Sequence, residues 1–211
     1  MLHDRDIREP LFGFLEEKYG KIRILEEKSM GHSRADIMMV MPDRLVGIEI
    51  KSDADSYTRL ERQIEDYDKY FDSNIVVVGS THATHIKDHV PPYWGIISVE
   101  IIDDAMDFYI IREPGINENV KLELKLGFLW RPELAHIQEL NKMPVYKDKS
   151  KAFVRQKIYE RVPADILAGQ ISDELFERDY NTIAETLQQY RRDNHRPVRR
   201  KRRKKLYRSH I

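Results

Sequence analysis

The chain has 211 residues, of which 41% are hydrophobic and 34% are charged, enough for one sizeable globular domain plus an appendage. No apolar run approaches the roughly 18 residues that a membrane helix requires, and the charged start MLHDRDIREP does not fit a secretory signal. The absence of cysteine excludes disulfides, thiolate zinc sites and thiol nucleophiles. We therefore expect a cytoplasmic protein without a membrane partner.

The formal net charge is zero, but the charge is unevenly distributed. Residues 191–211 contain 11 of the 36 basic residues and a single acidic one, which leaves 25 basic against 35 acidic residues in the rest of the chain. An acidic body with a basic tail predicts a polyanionic partner for the tail. The alternative is a solvated, disordered end without function.

The first half of the chain reads as a helix followed by strands and further helical segments. A helix over 4–19 ends at Gly20, and Pro10 fits its first turn, which would start the regular helix near Glu9. The remaining predicted elements are strands at 22–25, 35–40 and 44–50, a helix over about 56–71, a strand at 74–79, a helical or loop segment at 81–90, a strand at 94–102, and a hairpin partner at 106–111.

This order predicts an α/β fold with a mixed β-sheet flanked by helices. The turn-rich stretch REPGINEN at 112–119 separates it from a mainly helical segment, with helices at about 132–142, 149–160 and 172–190. Ser172, followed by two acidic residues, has the character of a helix start. We therefore divide the chain into a core of residues 1–113, a helical extension of 114–190 and a basic, disordered tail of 191–211.

The stretch RADIMMVMPDRLVGIEIKSD at 34–53 contains the residues that point to a catalytic site. Pro42-Asp43 is a turn signal, and a hairpin centred there pairs residues whose numbers sum to about 85. Asp36 then lies across from Glu49, at a Cβ separation of about 5 Å. Glu49 and Lys51 share one face of their strand, because side chains alternate with a period of two. Three ionisable groups thus meet at one end of otherwise apolar strands.

Two carboxylates in a partly buried site repel each other, and one is driven to take up a proton. A divalent cation resolves this conflict, since carboxylate oxygens are the ligands that Mg²⁺ takes. Such a cation polarises a phosphate and activates water, and Lys51 beside it orients the water or stabilises a phosphate oxygen. The alternative is an ordinary salt-bridge cluster at a strand end.

An Asp on one strand followed by Glu-x-Lys on the next resembles the PD-(D/E)XK nuclease superfamily, which has the restriction-endonuclease-like fold. The segments RADI, EIKSDAD, QIEDYDKYFD and WGII are more narrowly similar to small MmcB-like DNA-repair proteins of bacteria and phages. The resemblance implies that Asp36 and Glu49 bind Mg²⁺ or Mn²⁺ and that Lys51 aligns the attacking water for phosphodiester hydrolysis. The literal Pro-Asp at 42–43 is not the motif, because Asp43 lies at the turn tip, roughly 20 Å along the strand from Glu49.

Gln63 and Tyr67 match a Gln-x3-Tyr pattern of RecB-like members of that superfamily, which implies a catalytic role for Gln63. They lie one helical turn apart, so both can face the site; the alternative is a solvated Gln63 and a core Tyr67. An acidic residue from the first helix or strand often completes such sites, and Glu9, Glu26 and Glu27 are the candidates. Glu26 is favoured as the third metal ligand, because it shares a strand face with Ile22 and Ile24.

Arginines near the motif are candidates for holding phosphates, because guanidinium forks match phosphate geometry. We predict that Arg34 and Arg59 contact phosphates of the nucleic acid, and Arg62 is a further candidate. The alternative is that these arginines form surface salt bridges with neighbouring acidic residues. In the tail, phosphate contacts are expected from Arg199, Arg200, Lys201, Arg202, Arg203, Lys204 and Lys205.

Together these features predict a Mg²⁺- or Mn²⁺-dependent nuclease acting on DNA, in DNA repair, recombination or phage DNA processing, inside a bacterial or phage-infected cell. The alternative is a non-catalytic nucleic-acid-binding or repair-adaptor protein that keeps the nuclease fold. A homodimer and a repair-protein partner are both open.

Overall fold

A computed structural model describes residues 3–53 and 55–178 of the chain. These residues belong to one compact unit. The helices are α1 (Asp4–Tyr19), α2 (Leu60–Tyr70), α3 (Leu122–Lys125), α4 (Arg131–Leu140), α5 (Lys151–Arg161) and α6 (Ala164–Phe176). The strands are β1 (Arg23–Met30), β2 (Ser33–Val40), β3 (Leu45–Lys51), β4 (Ser73–Gly79), β5 (Gly95–Ile102) and β6 (Ala105–Arg112). The predicted α/β class is thereby confirmed.

The six strands form a single mixed sheet whose spatial order follows the chain, from β1 to β6. The pairs β1–β2, β2–β3 and β5–β6 are antiparallel, whereas β3–β4 and β4–β5 are parallel. Every residue of β3 and β4 is buried, as expected for strands covered on both faces. The sheet therefore changes from antiparallel to parallel at β3, the strand that carries Glu49 and Lys51.

Helix α1 covers one face of the sheet, burying Ile7, Leu11 and Leu15 in a core with residues such as Ile48 and Val77. The opposite face packs against α2 and the later helices in a second core. Apolar residues from α4, α5 and α6 join that second core. The helical segment thus shares a core with the sheet; the division at residues 113 and 190 stays a prediction.

The hairpin register is the one that the Pro42-Asp43 turn predicts. Ile37 pairs with Ile48 and Val40 with Leu45, so the numbers of facing residues sum to 85. The second predicted hairpin also forms, with Asp103 and Asp104 both at positive φ (49° and 62°) between β5 and the edge strand β6. Positive φ at both central residues is the requirement of the tight turn whose twist matches the flanking strands.

The helix predicted over 4–19 is α1 (Asp4–Tyr19), but it is regular from Asp4 and not only from near Glu9, so Pro10 lies inside it and not in its first turn. A second helix start was predicted wrongly. Ser172 does not begin a helix: it is buried within α6, which starts at Ala164 directly after Pro163. The spacing of Leu167, Ile171 and Leu175 explains this, because these buried residues lie on one helix face that continues across Ser172.

The rest of the helix predicted to reach residue 190, and the basic tail with it, lies outside the described residues. Across the part of the chain that the structure describes, no helix has both the length and the apolar character needed to span a membrane.

Candidate active site

A cavity of about 450 Å³ lies at the carboxyl end of β3. Its lining includes Asp36, Glu49, Lys51 and Gln63, the four residues predicted to be catalytic. The remaining lining residues come from α1, the β1–β2 turn, β2, β3, the segment leading into α2 and the first turn of α2: Asp4, His32, Ser33, Arg34, Ile50, Asp55, Arg59 and Arg62. The sequence motif is thus assembled around one concave surface, where a substrate group can enter.

Glu49 and Lys51 form a buried ion pair on one face of β3. Lys51 Nζ lies 2.8 Å from Glu49 Oε1, with the two side chains only 5% and 2% exposed. Gln63 of α2 bridges them, because its Oε1 accepts a bond from Lys51 Nζ (3.0 Å) and its Nε2 donates to Glu49 Oε1 (2.5 Å). An ammonium has three N–H donors, so one remains for a water or a phosphate oxygen.

Tyr67 lies one turn after Gln63 on α2, and its hydroxyl group makes hydrogen bonds to both β2 and β3. Its hydroxyl lies 2.8 Å from Glu49 Oε2 and 3.0 Å from the Ile48 carbonyl oxygen, and it accepts a bond from the Asp36 N–H at 3.2 Å. The ring itself is fully buried, so Tyr67 is both a core aromatic and a contact of the site. Gln63 is not a solvated position, and the Gln-x3-Tyr pair does face the site.

Asp36 lies beside Glu49, one step beyond the last regular pair of the β2–β3 ladder. The Ile50 N–H donates to Asp36 Oδ2 at 2.9 Å. Burial first, and then repulsion from Glu49, raise the pKa of Asp36 from 3.8 to about 8. The charged form of Asp36 is therefore disfavoured beside Glu49 in the protein alone.

This raised pKa makes stability pH-dependent. The folded protein binds a proton at Asp36 that the unfolded chain releases above pH 4, so the free energy of unfolding should fall as pH rises from about 4 to about 8. Asp36→Asn should flatten this slope, measured by urea unfolding in EDTA across that range. Asp43→Asn, at the exposed turn, is the matched control and should leave the slope unchanged. An unaltered slope in Asp36→Asn would contradict the assignment of this proton.

The turn between β1 and β2 is fixed at the mouth of the cavity by α2. The His32 N–H donates to Asp66 Oδ2 (3.1 Å), and the Gly31 N–H donates to the Tyr70 hydroxyl (3.1 Å). Gly31 has φ +51°, and a Cβ at this position would lie 2.4 Å from Asp66 Oδ1. Glycine is therefore required here, both for the backbone conformation and for the close approach of Asp66.

The other predicted residues divide between the cavity and its surroundings. Arg34 and Arg59 line the cavity, although Arg34 Nε also pairs with Glu27 Oε2 at 2.5 Å. Glu26, predicted as the third metal ligand, does not line it; its Oε2 lies 3.1 Å from Arg8 Nη1. Glu9 is exposed on α1. Residues 199–205 lie outside the described residues.

Sequence reasoning missed Arg8, Asp4 and His32. Asp4 and His32 line the cavity, and Arg8 contacts Asp36, with 3.5 Å between Arg8 Nη2 and Asp36 Oδ1. The four-residue spacing of Asp4 and Arg8 is a visible helical pair, but such pairs are usually solvated. No local signal shows that this one faces the motif.

The donor set fits a hard divalent cation. Glu49 accepts three bonds and Asp36 one clear bond, so both carboxylates keep lone pairs that a cation could use. Within the described ranges, no cluster of three or more His, Cys, Asp or Glu side chains forms a metal cage. Two carboxylates with water completing the shell is the pattern by which proteins hold Mg²⁺.

Fold and site thus define an α/β protein with a carboxylate–lysine cavity at one end of a mixed sheet. The family described as bacteriophage P4 protein cII matches residues 4–202, so the chain belongs to that family. No curated protein matches the chain significantly.

A solved structure, SfsA of Pyrococcus furiosus in complex with Ca²⁺, shares 16% sequence identity with the chain at a TM-score of 0.32. The match covers 53% of this chain and 60% of that protein.

Proposed function

We propose that this protein is a nuclease that hydrolyses DNA phosphodiester bonds with Mg²⁺ or Mn²⁺. The observation that carries the proposal is the convergence of Asp36, Glu49, Lys51 and Gln63 on one cavity, with Lys51 and Glu49 in direct contact. The resemblance of Asp36 and Glu49-x-Lys51 to the PD-(D/E)XK pattern supports the same reading. A purely structural salt bridge between Lys51 and Glu49 would not need Asp36 beside it, where burial and then repulsion from Glu49 raise the pKa of Asp36.

Asp36 and Glu49 are the residues that would hold the cation. When bound, a divalent cation would neutralise charge on the scissile phosphate and make water a better nucleophile. Lys51 is positioned to orient that water or a phosphate oxygen through its remaining N–H. Gln63 and Tyr67 fix the carboxylate of Glu49 from the other side, so that little reorganisation is needed when substrate binds.

Hydrolysis in this site requires a water oxygen to attack phosphorus while the bond from phosphorus to the 3′ oxygen breaks. The products expected from the resemblance are a 5′-phosphate and a 3′-hydroxyl, with the water proton passing to solvent or the leaving oxygen. Lys51 donates to Glu49 and Gln63 and so acts as a hydrogen-bond donor, not as the acceptor of this proton.

The experiment is cleavage of labelled duplex, nicked and single-stranded DNA by the full chain with Mg²⁺, Mn²⁺ or EDTA. We expect metal-dependent cleavage that Asp36→Asn and Glu49→Gln abolish and that Asp43→Asn retains. The control removes a carboxylate from the exposed turn of the same hairpin. Cleavage that survives Glu49→Gln would refute the site, and DNA binding without cleavage under any metal would favour the adaptor alternative.

Two arginines make one part of the cavity wall basic. Arg59 and Arg62 line it from the start of α2, and both are exposed. Arg62 makes only a long contact, with Nη2 3.5 Å from the His32 carbonyl oxygen. Their guanidinium groups are therefore available to the phosphates that flank the scissile bond.

Arg59→Gln/Arg62→Gln should weaken DNA binding roughly tenfold and lower the slope of log K against log salt by roughly one to two, since each phosphate contact contributes about 0.9. Fluorescence anisotropy over a salt series in Ca²⁺ measures both. Arg161→Gln, an exposed arginine at the end of α5, should change neither. An unchanged slope in the double variant would remove these arginines from the proposed interface.

A further inference from the structure

Arg8 of α1 lies among four carboxylates, one of which is Asp36. Its guanidinium contacts Asp4, with Nη2 2.8 Å from Oδ2, and Glu27, with Nη2 2.7 Å from Oε1. It also contacts Glu26, with Nη1 3.1 Å from Oε2, and Asp36, with Nη2 3.5 Å from Oδ1. The Arg8 side chain is only 14% exposed, whereas Asp4, Glu26 and Glu27 are 37–48% exposed, so its guanidinium lies within a cluster of partly exposed carboxylates.

The strand β1 is distorted where it meets this group. Glu27 has φ +56°, a left-handed conformation that is uncommon for a residue with a side chain. It falls between the regular pairs Glu26–Ile37 and Lys28–Ala35, and therefore opposite Asp36. Such backbone strain persists only where surrounding contacts hold it, and here Arg8 and Arg34 both bind the Glu27 carboxylate.

The charge balance requires a cation at this position. Without Arg8, the Arg34–Glu27 contact would be the one described ion pair left among these four carboxyl groups, and like charges so close together favour uptake of a positive ion. Contact with Asp4, partly offset by burial, raises the pKa of Arg8 above its already high usual value. The Arg8 guanidinium is thus charged at every accessible pH. Because it is part of the chain, it cannot dissociate as a bound metal ion can.

Two-metal phosphodiester hydrolases place their ions about 3.5–4 Å apart, on either side of a shared carboxylate. In this protein Asp36 lines the cavity together with Glu49, its Oδ2 accepts the Ile50 N–H, and its Oδ1 lies 3.5 Å from Arg8 Nη2. We propose that Arg8 is a positioning residue whose guanidinium takes the place of a second divalent cation and so restricts the site to a single one. This inference rests on the proposed function, since it assumes the ion held by Asp36 and Glu49.

The test is the stoichiometry of Mn²⁺ binding to the full chain, by electron paramagnetic resonance of free Mn²⁺ and by calorimetry. The wild type should bind a single ion, and Arg8→Met should bind two, because the acidic group then lacks its cation. Arg8→Lys restores a fixed positive charge and should return the stoichiometry to one. Arg5→Met is the matched control on the same helix, since Arg5 is highly exposed and pairs only with Asp6 among its described contacts.

Arg8→Gln provides a second neutral variant if the methionine variant does not fold, since its amide can still donate to Asp4 or Glu27. Adding Glu27→Gln to either neutral variant should remove the second ion. A single ion in a folded neutral variant would overturn the role given to Arg8 while leaving the proposed function intact. No bound ion in the wild type would instead refute the proposed function itself, so the two failures are distinguishable.

Discussion

Lys51→Ala is expected to reduce kcat for DNA cleavage by roughly 10²- to 10⁴-fold while leaving Mn²⁺ binding in place. Lys51 contributes a hydrogen-bond donor at the reacting water or phosphate, whereas the two carboxylates hold the ion. Glu49 stays bonded to Gln63 and Tyr67 in this variant, so its carboxylate is not left without partners. The loss should therefore appear in turnover and not in metal affinity.

Glu49→Gln provides the contrast, because it should lose both turnover and Mn²⁺ affinity. Single-turnover cleavage combined with calorimetric Mn²⁺ titration separates the two cases, and thermal unfolding verifies that each variant is folded. Lys87→Ala, an exposed lysine on the segment before β5, is the matched control and should match the wild type in every measurement. Equal loss of metal binding in the Lys51 and Glu49 variants would contradict the separate roles assigned to them.

Arg178→Met is expected to destabilise the protein by about 3–5 kcal/mol, the usual cost of breaking a buried ion pair by removing one partner. Arg178 Nε lies 2.6 Å from Glu133 Oε1, and the two side chains are 2% and 5% exposed. Its Nη2 also donates to the Phe128 carbonyl oxygen at 2.9 Å, and the guanidinium lies 4.6 Å from the centre of the Trp130 ring. The variant would leave Glu133 buried and charged without its cation.

Urea unfolding monitored by circular dichroism measures this cost. Replacing both partners, in Glu133→Gln/Arg178→Met, should recover part of the lost stability, because no unpaired charge then remains buried. Lys157→Met is the matched control, since its pair with Glu160 on α5 is exposed to solvent and should contribute little to stability. If Arg178→Met costs no more than Lys157→Met, the buried pair does not hold the chain after α6 to α4.

The fold and the positions of Asp36, Glu49, Lys51 and Gln63 could be predicted because they follow from turn position, strand alternation and helical spacing. The Pro42-Asp43 turn determines the hairpin register, and the register in turn places Asp36 beside Glu49. The period of two puts Lys51 on the same side as Glu49, and one helical turn separates Gln63 from Tyr67. Each of these steps depends on residues close together in the chain.

What could not be predicted depends on contacts between distant segments. Arg8 and Asp4 resemble an ordinary solvated helical pair, and only the packing of α1 against the sheet brings them to Asp36. Glu26 shares a strand face with apolar residues, as expected, but the path of β1 directs its carboxylate to Arg8 and not to the cavity. Ser172 has the local character of a helix start, and the burial of its neighbours on α6 overrides it.

The proposed metal site is tested most directly by an anomalous difference map from a crystal of the full chain soaked in Mn²⁺. We predict one peak coordinated by the carboxylates of Asp36 and Glu49, within reach of the free N–H of Lys51, and its loss in Asp36→Asn. Density elsewhere, or no peak at these carboxylates at a Mn²⁺ concentration that supports cleavage, would contradict it.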